Sequence, residues 1–89
     1  MNYFVYILIS EVDNSFYIGQ TNNLEDRLRR HNAGRERYTK TKRPWERFWS
    51  IEMPSRAGAI RLERKIKNLK SRKRMLEFIE KIDKSNSGQ

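Results

Sequence analysis

The sequence predicts a small α+β domain, a three-stranded antiparallel sheet flanked by about three helices. Three observations predict it. Two β-rich apolar runs, Tyr3 to Ser10 and Phe16 to Gln20, are separated by the turn-like Glu11-Val12-Asp13-Asn14. A third run, Trp45 to Met53, stands beyond a basic loop. After it, apolar residues recur at helical spacing in two successive stretches. With 89 residues the chain can bury one modest core, because only about 60–65% of the unfolded surface is lost at this size. The domain is expected to occupy residues 1–83, with 84–89 as a frayed tail.

The elements follow in order. A four-residue loop at 11–14 pairs Ser10 with Ser15, which sets Leu8 opposite Tyr17 and Tyr6 opposite Gly19. Opposed residues share a face, so Tyr6 and Tyr17 point the same way, one step apart on the diagonal. Gly19 carries no side chain, and this register leaves open space beside Tyr6. Asn22 or Asn23 caps a first helix, supported by Glu25 or Asp26 three residues on. That helix runs to about Ala33 and stops at Gly34. Its apolar content is thin, and Arg27 and His31, four apart, stack on one face. Residues 35–47 form a basic loop. Pro54-Ser55 opens a second helix, capped by Ser55 and reaching about Leu69, with Gly58 a weak point costing about 1 kcal/mol relative to Ala. Ser71 caps a last helix that turns Met75, Phe78, Ile79 and Ile82 inward.

Composition removes several functional classes. There is no cysteine, hence no disulfide framework and no thiolate metal site, and one histidine excludes a His-only zinc site. No apolar run approaches the roughly 20 residues of a membrane span. The opening MNYFVYILIS lacks a basic lead and a cleavage site, so it reads as a strand rather than a signal peptide, and the cytoplasm is the expected compartment. The net charge of +9 is uneven: residues 35–74 carry +11, while the flanking segments carry −1 each. Positive charge concentrated in this way attracts a polyanion, because neutralising phosphates releases counterions. Nucleic acid is therefore the expected partner, and membrane is not, since few large apolar residues lie among these charges.

Glu63 is the most informative single residue. Ala59, Leu62, Ile66 and Leu69 fall in one arc of the second helix, and Glu63 sits on its flank among apolar neighbours. A carboxylate there needs a partner. An ion pair with Lys67, four residues on, is one answer; a metal ion is the other.

Together these pieces resemble the GIY-YIG nuclease family, small catalytic domains of homing endonucleases, some restriction enzymes and the incision subunit of bacterial excision repair. Phe4-Val5-Tyr6 stands at the first tripeptide, without its glycine, and Tyr17-Ile18-Gly19 copies the second. Arg27 and His31 follow in an R-x-x-x-H arrangement, and Glu63 lies on the later helix. The chain is most similar to short, free-standing bacterial members, with their Tyr38-Thr39-Lys40 segment and Arg43-Pro44 pair. Some members have a lysine where Gln20 stands, and Asn68 is the nearest match to a late asparagine.

The resemblance implies hydrolysis of phosphodiester bonds with one divalent cation, Mg²⁺ or Mn²⁺, and DNA as the substrate favoured over RNA. The residue chemistry fits such roles. Glu63 would anchor a hard cation that takes its other ligands from water and phosphate. Arg27 offers a planar fork to phosphate oxygens. Tyr6 or Tyr17 would be the base, Tyr6 by a narrow margin, and the other would orient water. His31 would accept a tyrosine proton or pass it on. Tyr38, Thr39, Lys40, Lys42 and Arg43 read as substrate contacts, and Arg61, Arg64 and Lys65 as part of a basic run tracking the phosphate backbone. The alternative is a module on the same fold that holds DNA or RNA without cutting it.

Overall fold

In the computed structural model, which describes residues 2–87, the elements run β1 (Tyr3–Ser10), β2 (Phe16–Thr21), α1 (Leu24–Asn32), β3 (Trp45–Met53), α2 (Arg56–Leu69) and α3 (Arg72–Ser87). One 3₁₀ turn, Lys40–Lys42, interrupts the basic loop. The strands form an antiparallel sheet of order β2-β1-β3, so the most apolar run becomes the central strand, covered on both faces. Val5 and Ile7 pack with Trp49, Ala59, Ile66, Met75 and Ile79, the core shared with α2 and α3. Tyr6 and Leu8, of opposite parity, pack with Trp45, Leu24 and Leu28, the core shared with α1. Trp49 Nε1 also donates to Asp83 Oδ1 at 3.0 Å, tying α3 to β3.

The hairpin takes the register its loop length sets. Ser10 N–H donates to Ser15 O at 2.9 Å, Leu8 faces Tyr17 and Tyr6 faces Gly19. Ser10 Oγ accepts from Val12 N–H at 3.0 Å, and Asn14 takes the positive φ of 63° that closes the turn. On the other side of β1, Ile7 pairs with Trp49 and Leu8 with Arg47, so Phe48 is the extra residue of a β-bulge. Its ring stacks on Phe16, centroids 4.8 Å apart.

Helix ends match their chemistry. Asn23, not Asn22, caps α1, accepting from Asp26 N–H at 3.1 Å; Gly34 (φ 80°) follows its C-cap, Ala33. Ser55 caps α2 through Gly58 N–H at 3.1 Å. Lys70, at φ 56°, ends α2, and Ser71 Oγ accepts from Arg74 N–H at 3.3 Å. The expectation of a frayed tail from residue 84 is corrected: α3 continues to Ser87, with Lys84 and Glu80 one turn apart and 3.7 Å from each other. The remaining two tail residues, 88 and 89, lie outside the described residues.

A second correction concerns Gly19. The space beside Tyr6 is not open, because the phenol itself fills it: a Cβ on Gly19 would stand 2.5 Å from Tyr6 Oη and 2.7 Å from Cζ. Only a residue without a side chain lets the ring lie across the neighbouring strand. Gly19→Ala is therefore expected to displace Tyr6 and to destabilise the fold by about 1–3 kcal/mol, the usual cost of overpacking, read as a lower urea midpoint. An unchanged midpoint would contradict this packing.

Candidate active site

The site grows from the hairpin. The diagonal Tyr6–Tyr17 pair has ring centroids 6.4 Å apart. α1 brings His31 against both rings, at 6.2 Å from Tyr6 and 4.9 Å, edge to face, from Tyr17. Tyr38 and Trp45 complete the surround of Tyr17, at 6.0 and 6.3 Å. Tyr6 and His31 are buried, whereas Tyr17 is only partly so.

Hydrogen bonds run through this cluster in a chain. Tyr6 Oη lies 3.2 Å from His31 Nε2, and His31 Nδ1 lies 2.8 Å from Thr39 Oγ1. Thr39 is fixed in turn by its own carbonyl, which accepts from Trp45 Nε1 at 2.9 Å. The substrate contact expected at Thr39 is not at the surface: the residue is fully buried, and its hydroxyl meets His31 Nδ1. The chain holds three protons for two bonds, since each hydroxyl has one and the neutral imidazole one. Either hydroxyl can therefore donate to the ring while the other accepts.

Arg27 and Glu63 approach from different helices. Arg27, on α1, is half-buried; Glu63, on α2, has a side chain 18% exposed and pairs with Lys67 Nζ at 2.9 Å. The ion pair expected as one answer for this carboxylate is thus formed. Both charges reach both phenols. Burial pushes Tyr6 well above the ordinary phenol value, with Tyr17, Glu63 and Glu36 adding to the rise and Arg27 opposing it. Tyr17 is also raised by burial, against the pull of Lys67 and Arg27. His31 is pushed below its ordinary 6.5, first by burial and then by Arg27, with Glu36 opposing. The resting site therefore holds neutral phenols beside a neutral imidazole.

The remaining expected contacts divide. Tyr38 is exposed beside Tyr17, and Lys40 is exposed at the start of the 3₁₀ turn. Lys42 is engaged in the hairpin: its Nζ pairs with Asp13 at 3.3 Å and its carbonyl accepts from Ser10 Oγ at 2.7 Å. The Arg43 guanidinium packs on Gly34. Arg61 and Arg64 lie on the outer side of α2, and Lys65 turns toward α3, with Nζ 5.8 Å from the Phe78 centroid. By helical rotation, Lys65 and Asn68 point well away from Glu63. Arg56 and Glu36, which the sequence reading passed over, stand closer, as does Lys67, expected there only as the ion-pair partner of Glu63. Lys67 and Arg56 share the Glu63 flank of α2, and Glu36 acts on both phenols and on His31. The spacing Arg56, Glu63, Lys67 (i, i+7, i+11) was the available signal for the first two.

A cation at Glu63 is testable against this donor set. Among the described residues no group of three or more His, Asp or Glu side chains could hold a metal. A site with one carboxylate suits a hard ion that keeps most of its waters and draws further ligands from phosphate. Glu63 is the carboxylate that would hold such an ion, in competition with Lys67, whose side chain is half exposed.

Comparison with known proteins gives a consistent result. The family described as the GIY-YIG catalytic domain matches residues 2–77. Over 79 residues, 88% of this chain and 94% of the relative, the sequence is 42% identical to the UPF0213 protein SH2523 of Staphylococcus haemolyticus. Over 81 residues it is 36% identical to the UPF0213 protein YazA of Bacillus subtilis, covering 90% of this chain and 81% of that one. The solution NMR structure of the UPF0213 protein BH0048 from Bacillus halodurans superposes with a TM-score of 0.57 at 32% identity, covering 90% of this chain and 84% of that chain.

The His31 environment sets a pH dependence. An NMR titration of the ring protons should give a midpoint below 6.5. Because the unfolded chain binds a proton at the ordinary value and the folded ring does not, stability falls as pH drops through 6.5 toward the folded midpoint. Thr39→Val, which strips Nδ1 of its partner, should cost about 1–3 kcal/mol in urea unfolding. A midpoint at or above 6.5 would contradict the buried, neutral ring.

Proposed function

The chain belongs to the GIY-YIG catalytic-domain family, and on that premise we propose that it is a divalent-metal-dependent endonuclease hydrolysing phosphodiester bonds in DNA with little sequence specificity. The observation that carries this reading is the Tyr6–His31–Thr39 chain, set where the charges of Arg27 and Glu63 both act on the phenols. A buried phenol needs a hydrogen-bond partner in any role; what supports catalysis is that the partner is an imidazole able to take up the proton.

Each residue then has a task. Tyr6 Oη takes a proton from the attacking water while its own hydrogen passes to His31 Nε2. The imidazolium so formed donates from Nδ1 to Thr39 Oγ1, which holds the ring in line. Thr39 is thus a positioning residue. Tyr17, more exposed, orients the water. Arg27 binds the phosphate oxygens and offsets the charge that develops there. Glu63 would hold Mg²⁺ or Mn²⁺, which when bound supplies Lewis-acid polarisation of the phosphate. The raised Tyr6 and lowered His31 make the first transfer uphill in the empty site, so the relay runs only with water and phosphate in place.

One observation favours the second reading, a module that holds nucleic acid without cutting it: Glu63 is already neutralised by Lys67. Purified protein with Mg²⁺ or Mn²⁺ should nick supercoiled plasmid. Glu63→Ala and Arg27→Ala should each lower the rate by at least about 10²-fold, as removing one charge-stabilising group does. Nicking by Glu63→Ala at the wild-type rate would remove the proposed metal site. Salt-dependent binding without cleavage by wild type would establish the module instead.

Activity should hold from neutral to mildly alkaline pH, since Tyr6 stays protonated there, and fall in acid as His31 takes its proton from solvent. A steady rise through the alkaline range in place of a plateau would point to a phenolate already formed in the free enzyme.

A further inference from the structure

A cavity of about 210 Å³ opens where the start of β1 and the end of β2 meet α1 and the start of α2. Tyr3, Gln20, Thr21, Asn22, Arg27 and Arg56 line it. Two guanidiniums face it from different helices, and its lining includes no carboxylate. Among the described residues neither Arg27 nor Arg56 has an ion-pair partner; the pairs formed engage Arg29, Lys42, Lys67 and Lys84. Two like charges sharing a pocket without a counter-charge repel each other, and an anion between them removes that repulsion.

The position of Arg56 says which anion. It lies seven residues before Glu63 on α2, so the two side chains leave the helix within about 20° of each other and about 10 Å apart along its axis. Arg27 belongs to both places: it lines the cavity, and its charge acts on Tyr6 and Tyr17. One guanidinium thus links the cavity and the phenol cluster electrostatically.

We propose that this cavity is a second phosphate subsite, in which Arg56, with Arg27 shared between the two places, holds an internal phosphodiester of the strand whose scissile phosphate lies between Arg27 and Glu63. This rests on the nuclease reading above for the word scissile, but not for the binding. At a rise of about 3.4 Å per nucleotide in one strand, the roughly 10 Å between Arg56 and Glu63 along α2 places the second phosphate within about three nucleotides of the one beside Glu63. Planar, bidentate recognition suits Arg for such a group. The subsite would fix the register of the strand along the flank of α2 without reading a base.

The test measures binding, with EDTA present so that no cleavage enters. Fluorescence anisotropy with a labelled duplex gives the slope of log K against log salt. Arg56→Ala should reduce its magnitude by about 1, the loss of one phosphate contact, and weaken binding several-fold. Lys81→Ala, an exposed charge on α3 away from the cavity, should leave the slope unchanged, and Arg56→Lys should restore it. Replacing single phosphates by neutral methylphosphonates should reveal one internal position at which wild type falls to the Arg56→Ala level and that variant is indifferent. A wild-type slope in Arg56→Ala, with circular dichroism showing the fold intact, would overturn the proposal. So would an Arg56 effect seen only with 5′-phosphorylated ends, which would assign the cavity to a terminal phosphate. An Arg56 effect in a protein that never nicks DNA would uphold the subsite and refute the nuclease.

Discussion

A buried imidazole must satisfy both ring nitrogens within the protein, and in this chain one such ring joins three parts of the fold. His31 reaches Tyr6 on the central strand through Nε2 and Thr39 in the basic loop through Nδ1. The constraint is stringent, because an unpaired buried nitrogen costs more than a formed bond gains. It obliges α1 to sit at one height over the sheet and draws residues 35–44, otherwise rich in charge, back against the hairpin. The loop ties reinforce it: Trp45 Nε1 donates to the Thr39 carbonyl, and Asn32 brackets Trp45, donating to its carbonyl at 3.0 Å and accepting from its N–H at 2.6 Å. α1 has few apolar residues to hold it. Polar bonds do much of that work.

The two faces of β1 divide the labour. One face carries an aliphatic core shared with the long helices, which needs only shape and volume. The other buries phenol, indole and imidazole, whose polar atoms have directional requirements. A central strand with residues of alternating kind can serve both, and the chemistry is concentrated where the core is least oily. Electrostatics then work across the edge of the sheet: α2 packs on the aliphatic side, yet Glu63 and Lys67 on its flank are felt by the phenols.

Much of this was legible in the sequence, and the exceptions are instructive. The three strands, the hairpin register and the Ser55 cap depend on near neighbours, so loop length and side-chain type were enough. The Phe48 bulge depends on how β3 meets β1, a long-range match with no local sign. Thr39 stands between Tyr38 and Lys40 in a basic loop, with no local sign of burial; its burial is decided by His31 and Trp45, distant in sequence. Gly19 was read as a void because its occupant is a ring from the next strand, whose rotamer the chain does not spell out. Lys65 and Arg56 were separated by helical phase alone. Counting charges in a run treats all sides of a helix alike, whereas rotation turns Lys65 toward α3 and Arg56 toward the Glu63 flank.

The Lys67–Glu63 pair described above has a consequence for how such a protein behaves among nucleic acids it should leave alone. An ammonium held 2.9 Å from the carboxylate competes with any dication for the same oxygens. On the nuclease proposal, a free ion would meet an acid that already has a counter-charge, and a nearby strand of phosphates would compete with the carboxylate for the half-exposed lysine. The built-in counterion would then tilt cation capture toward moments when the polymer is present, by the modest amount an exposed pair can supply.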